Sequence, residues 1–221
     1  MKYFCLSVLC LAFALSANAA GDPSIDKLIA KLPPADKFVD PAGNDPLAKQ
    51  FVVAIKEHNY GTAMQRSRQL AAKYPKSLGA QLANAEMAVA MKNYGEANAA
   101  FHKVLALRPD FALAYFGLGI SEAGQQHFRA ALGHFQQVTR LEPSRDWGWI
   151  ACSACAEKLG QKQVSLDYAR HGTTAAPKSP GVWFQAAREE SLAGNKKAAA
   201  DDLRHANQLR QTQPKQAAHR R

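Results

Sequence analysis

Four prolines, Pro75, Pro109, Pro143 and Pro177, stand 34 residues apart. A fixed spacing of that length in a chain with 11 prolines restricts the fold to repeats of one small supersecondary unit, each too small to bury its own apolar face. Other residue types keep the same register. With each proline as position 32, position 20 is Ala63, Ala97, Ala131, Ser165 and Ala199, and position 8 is Phe51, Ala85, Gly119, Ser153 and Ala187. Position 17 is Tyr60, Tyr94, Phe128, Lys162 and Lys196. Within each unit apolar residues recur every three or four positions, so each half-unit is an amphipathic helix. Small residues at positions 8 and 20 let two helix backbones approach. Phe101, Phe135 and Leu203 fill the space beside the crossing, and the proline, lacking an N–H, stops the second helix. Asp45-Pro46 and Ser179-Pro180 place a capping oxygen before a proline at the first helical turn; Ser77, Asp110 and Ser144 are the other candidate caps.

These residues resemble the tetratricopeptide repeat family, whose unit is a pair of antiparallel helices. Residues 112–145 match best, through Tyr115, Leu118, Gly119, Phe128, Ala131, Phe135, Val138 and Pro143. Residues 78–111 follow, through Tyr94, Ala97, Phe101, Val104 and Pro109, while 146–179 carry Cys152 and Ala169 where the family has a leucine and an aromatic residue. The outer units 44–77 and 180–213 depart further: Phe51 and Ser67 replace a small and a large residue, and Gln211 stands in place of the proline. The resemblance implies an all-α, right-handed α-solenoid of about five helix-turn-helix repeats over 44–213.

Outside the repeats, Met1 and Lys2 precede an apolar run from Tyr3 to Leu15, and Ala17-Asn18-Ala19 has the small-x-small form of a signal-peptidase site. The expectation is a signal peptide at 1–19 and an exported, periplasmic protein. Thirteen apolar residues fall short of a spanning helix, and no later run reaches the roughly 18 that crossing needs. Residues 20–43 form an extension in which Ile25, Leu28, Ile29 and Leu32 follow a helical i, i+3, i+4, i+7 stripe before Pro33-Pro34. That short helix is a candidate occupant of the protein's own groove. Residues 214–221 read as a basic, disordered tail.

Chemistry-bearing patterns are scarce. Seven histidines show no ligand spacing, and neither a Gly-rich phosphate loop nor a nucleophile motif occurs, so no enzyme activity, metal or cofactor is expected. Glu189-Glu190 and Asp201-Asp202 point about 100° apart on a helix and read as solvated faces. Cys152 and Cys155 form a C-x-x-C inside a helix, where packing is the plain reading and a thiol redox pair the alternative function. Lys and Arg total 28 against 18 acids, for a formal charge of +10. The basic residues, among them Arg66, Arg68, Lys73 and Arg170, fall on second helices and turns; an exported protein has no nucleic acid to meet there, whereas an acidic envelope surface or protein stays open.

In the resembling family the concave surface is lined by positions 2, 5, 6, 9, 12 and 13 of the first helices. Of the eighteen such residues in the three middle units only Glu86, Glu157 and Lys158 are charged, and the Lys and Asn clamp that some members use on acidic chaperone C-termini is missing. The resulting expectation is a non-catalytic scaffold whose groove takes an apolar or amphipathic peptide segment of a protein partner. Leu82, Leu113, Phe116, Ile120, Trp147, Ile150 and Phe184 are the expected contacts, with Arg188 as polar anchor. Tight curvature of the stack is the competing account, since it would bury part of this row against neighbouring units.

Overall fold

The computed structural model describes residues 41–212; the expected signal peptide, the Ile25–Leu32 stripe and the basic tail lie outside the described residues. Among the described residues a 3-10 turn, Pro41–Asn44, is followed by ten helices. They are α1 (Pro46–Lys56), α2 (Tyr60–Lys73), α3 (Leu78–Ala90), α4 (Tyr94–Leu107), α5 (Ala112–Gly124), α6 (Phe128–Leu141), α7 (Asp146–Lys158), α8 (Lys162–Ala175), α9 (Pro180–Leu192) and α10 (Lys196–Thr212). The chain divides into two compact units, one up to Gln126 and the other from His127.

Periodicity reaches into the backbone. Second helices α2, α4, α6 and α8 each end two residues before Pro75, Pro109, Pro143 or Pro177. The turn inside every pair carries one residue at positive φ: His58, Lys92, Gln126, Gly160 and Gly194, again 34 apart. Each closes the preceding helix in the same way. The N–H of Lys92 bonds to the Val89 carbonyl at 2.9 Å and that of Asn93 to Ala88 at 2.8 Å; Gly160 and Gln161 do the same to Glu157 and Ala156. This is the left-handed C-terminal cap that glycine adopts freely and other residues adopt at a cost. At the helix starts, Asp45, Asn59 and Ser77 accept from the amides of Leu47, Thr62 and Ala80 at 2.8, 3.1 and 3.0 Å.

In the first unit α1 pairs with α2 and α3 with α4, and α5 packs on both α4 and α3. Ala85 and Ala97 meet at the α3/α4 crossing, both fully buried, and Phe101, Val104, Met87, Ile55 and Phe51 fill the space around it. Phe51 replaces the small residue of its unit and is itself buried in this core. In the second unit α6 packs on α7, α7 pairs with α8, and α9 pairs with α10. Its crossing is polar: Ser153 and Ser165 are buried with their hydroxyls 3.1 Å apart, and Ser165 donates to the Ser153 carbonyl at 2.8 Å. Two contacts repeat one period apart. Trp149 and Trp183 donate from Nε1 to the Pro143 and Pro177 carbonyls, each at 2.8 Å, and their rings lie against His171 and His205. The all-α architecture of consecutive antiparallel helix pairs is therefore the one expected. No described helix is long and apolar enough to cross a membrane.

Candidate functional site

The expected groove residues share register positions of their repeats. Leu82, Phe116, Ile150 and Phe184 are all position 5 of first helices, and Glu86, Ile120, Ala154 and Arg188 are all position 9. The row does not have one environment.

On α3 it is closed. Leu82 is 1% exposed and belongs to the core, and Glu86 and Val89 are buried with it. Every residue from Ala80 to Val89 is buried, so this stretch offers no open contact surface, and Leu82 as an open contact is corrected on that ground. Glu86 is 0% exposed, and neither carboxylate oxygen has a hydrogen-bond partner among the described residues. Burial alone pushes its pKa well above the ordinary 4.5.

On α5 the row opens. Leu113, Phe116 and Ile120 lie along one helix face and are half-buried, with Leu113 and Ile120 packed against the core of the first unit. Two glycines on that same side bring α5 close to α4: a Cβ on Gly117 would lie 2.0 Å from Cζ of Phe101, and one on Gly124 would lie 2.3 Å from Cζ of Tyr94. Only glycine permits these ring-to-backbone approaches, which fix α5 against α4.

In the second unit Trp147 and Ile150 on α7 and Phe184 on α9 are half-buried. Ile150 reaches under the start of α9, where its Cδ1 would be 3.1 Å from a Cβ on Gly181. The Arg210 guanidinium lies 5.9 Å from the Phe184 ring centroid. Leu82 is thus buried within the first unit, while α5, α7 and α9 each keep half-buried apolar side chains. Arg188, the expected polar anchor, is already engaged: its Nη2 pairs with Glu157 at 2.6 Å and its Nη1 with Glu189 at 3.1 Å.

Adjacent acids were misread from sequence. Glu189 and Glu190 are both buried, not solvated. The 100° between neighbours sends them to different partners: Glu189 accepts from Arg188 and Gln185, and Glu190 from Arg170 and from Asn195 at 2.6 Å. Gln185 also donates to Ser153 at 3.0 Å, so a polar seam joins α7, α8 and α9. Several basic residues are likewise structural, Arg68 pairing with Glu96 and Lys73 with Asp45, each at 2.6 Å.

Cys152 and Cys155 are buried and free. Burial pushes their pKa values to about 12 and about 11, with Cys155 adding to the effect on Cys152. Both thiols therefore stay protonated, the opposite of what thiol exchange requires. Among the described residues no three metal-ligating side chains come together.

No family model and no curated protein matches the chain. Solved structures do. The crystal structure of MamA superposes with a TM-score of 0.63 at 12% identity, covering 73% of this chain and 94% of that one. MamA 41-end from Desulfovibrio magneticus RS-1 gives 0.63 at 15% identity, covering 77% and 98%, and MamA MSR-1 C2 gives 0.56 at 16%, covering 75% and 95%. At such identities the likeness is one of fold, and the fold is the tetratricopeptide-type helical repeat.

Proposed function

We propose that this chain is a non-catalytic protein-interaction scaffold of the bacterial cell envelope, exported through its N-terminal segment, and that it binds apolar or amphipathic segments of protein partners. The observation that carries the reading is the partly open apolar surface on first helices: Leu113, Phe116 and Ile120 on α5, and Trp147 and Ile150 on α7. A helix face kept apolar yet incompletely buried is what amphipathic segments dock against. The close glycine contacts that fix α5 on Phe101 and Tyr94 support this, because a helix held in place in advance loses less entropy on binding.

Crosslinking and pulldown from the native envelope, with wild type, Phe116→Asp and Trp147→Asp side by side, tests the reading. A partner recovered with wild type and lost with one variant assigns that face. Equal recovery with all three proteins overturns apolar docking and moves the search to the basic second helices. Fractionation of the native cells tests the location separately: the protein found in the cytoplasm would sink the envelope assignment and leave the binding assignment standing.

A further inference from the structure

The outer face of α10 breaks two rows of the repeat. At position 24, Ser67, Phe101, Phe135 and Ala169 are buried, none above 4%, whereas Leu203 is 46% exposed, so its expected place beside the crossing is corrected. At position 21, Met64, Leu132 and Leu166 are buried and Asn98 half-buried, whereas Ala200 is exposed. Each earlier second helix also packs on the first helix that follows it: α2 on α3, α4 on α5, α6 on α7 and α8 on α9. Among the described residues no helix follows α10. Position 25 repeats the pattern in polar terms. Arg68 pairs with Glu96 and Arg170 with Glu190, each at 2.6 Å, and Gln136 donates to the Tyr168 hydroxyl at 2.6 Å, every acceptor lying in the next repeat. Arg204 holds the same position and turns back to Asp201 of its own helix, both side chains more than half exposed. An exposed i, i+3 pair of this kind contributes little, so exchanging it costs little.

We propose that the outer face of α10 docks an amphipathic helix of a protein partner, seated as the first helix of a following repeat would be, with apolar side chains over Ala200 and Leu203 and a carboxylate on Arg204. The stack itself supplies the template, since each repeat buries its apolar face only against a neighbour. It also shows where the acid belongs. At position 11 of first helices, Glu122 accepts from Asn98 at 2.8 Å and Glu190 from Arg170, in both cases a donor on the preceding second helix. Charge selects among the occupants. Residues 213–221 carry Lys215, His219, Arg220 and Arg221 and no acid, so they repel Arg204. Helix α1 of a second copy has no acid between Pro46 and Lys56, and its Ala48, Phe51, Val52, Ala54 and Ile55 are already buried in their own core. A partner helix with one acid on its apolar stripe meets both demands of α10. This face is a different one from the half-buried apolar side chains on α5, α7 and α9, so failure of docking there leaves it standing.

Photocrosslinking in the cells that make the protein tests it, with benzoylphenylalanine in place of Leu203 and the same protein carrying Arg204→Gln beside it. Both side chains are exposed, so neither change disturbs the core. Crosslinks should map to one segment of another protein, with apolar residues at i, i+3 and i+4 and an Asp or Glu among them. Arg204→Gln should cut their yield at least about tenfold at equal protein levels, because it leaves that acid without its partner. Crosslinks that map to residues 213–221 or to a second copy overturn the proposal by naming a different occupant. So does the absence of any crosslink, and so does a yield that Arg204→Gln leaves unchanged.

Discussion

Glu86→Leu should stabilise this protein, and by more at pH 8 than at pH 4. Glu86 sits mid-α3 at 0% exposure with both carboxylate oxygens unpartnered among the described residues. Leaving a neutral polar group buried and unsatisfied costs about 1–3 kcal/mol, and leaving it charged costs far more, so the folded protein keeps the proton. An unfolded chain releases that proton near pH 4.3. Between that point and the raised folded pKa the native state binds more protons, so stability is full below the unfolded pKa and falls as pH rises, by up to about 1.4 kcal/mol per pH unit, until the folded group ionises. Leucine has similar bulk and removes both penalties. The gain at pH 4 is then the neutral part alone, about 1–3 kcal/mol, or a melting temperature higher by about 2–4 °C per kcal/mol in a chain of this size. At pH 8 the titration part adds to it. Urea and thermal melts of wild type, Glu86→Leu and Glu86→Gln at pH 4, 6 and 8 separate the two parts, because glutamine abolishes the titration and keeps the buried polar group. A leucine variant less stable at every pH, or a gap that does not widen with pH, would mean that the carboxyl has a partner and would refute the reasoning.

Four other outcomes follow from the same structure. Gly117→Ala should destabilise by about 1–3 kcal/mol despite its better helix propensity, because the new methyl meets the Phe101 ring; adding Phe101→Leu should recover part of the loss in denaturant melts, and simple additivity would count against the clash. Lys92→Gly should stabilise by about 0.5–1 kcal/mol, since the exposed Lys92 holds φ at 58° where glycine is unstrained; a loss on substitution would contradict this. Asp45→Ala should cost about 1 kcal/mol at neutral pH. The Lys73 ammonium, the Leu47 amide and the Tyr74 hydroxyl hold its carboxyl at about 2, so its contribution is complete above its ordinary 3.8 and disappears as pH falls through 2; an equal cost at pH 7 and pH 2 would disprove the pairing. Cys152 and Cys155 should resist a thiol reagent in the native mature protein at pH 8 and react on unfolding, and fast native labelling would revive the redox alternative.

Helix pairs were legible because the prolines and small crossing residues mark covalent and steric limits that any backbone must obey. Pro75, Pro109, Pro143 and Pro177 each follow a helix end by two residues. The left-handed turn position was also periodic, yet only Gly160 and Gly194 advertise it; His58, Lys92 and Gln126 adopt the same geometry without the residue that signals it. Pair chemistry was harder to read. Glu189 and Glu190 look like a solvated acidic patch in a one-dimensional reading, and only the folded chain reveals that Glu189 pairs with Arg188 and Gln185 of its own helix and Glu190 with Arg170 of α8 and Asn195 of the next turn. The groove was read from a positional rule that treats all first helices alike, which is why Leu82 was grouped with Phe116 and Ile150.

The failure of that rule at α3 carries information of its own. Burial normally sorts a row of equivalent positions by polarity, apolar residues inside and charged ones outside. Here position 9 is a glutamate where the row is closed, at Glu86, and an isoleucine where it is half open, at Ile120. Stability alone would favour the reverse arrangement, since Glu86 bears a desolvation cost and Ile120 leaves apolar area in water. A sequence that departs from local optimisation at two equivalent positions of adjacent repeats marks this row as shaped by something other than folding. The docking face proposed above accounts for Ile120. At Glu86 the cost is contained only by keeping the proton, so any opening of α3 above the ordinary carboxylate pKa lets the group ionise and favours the open state.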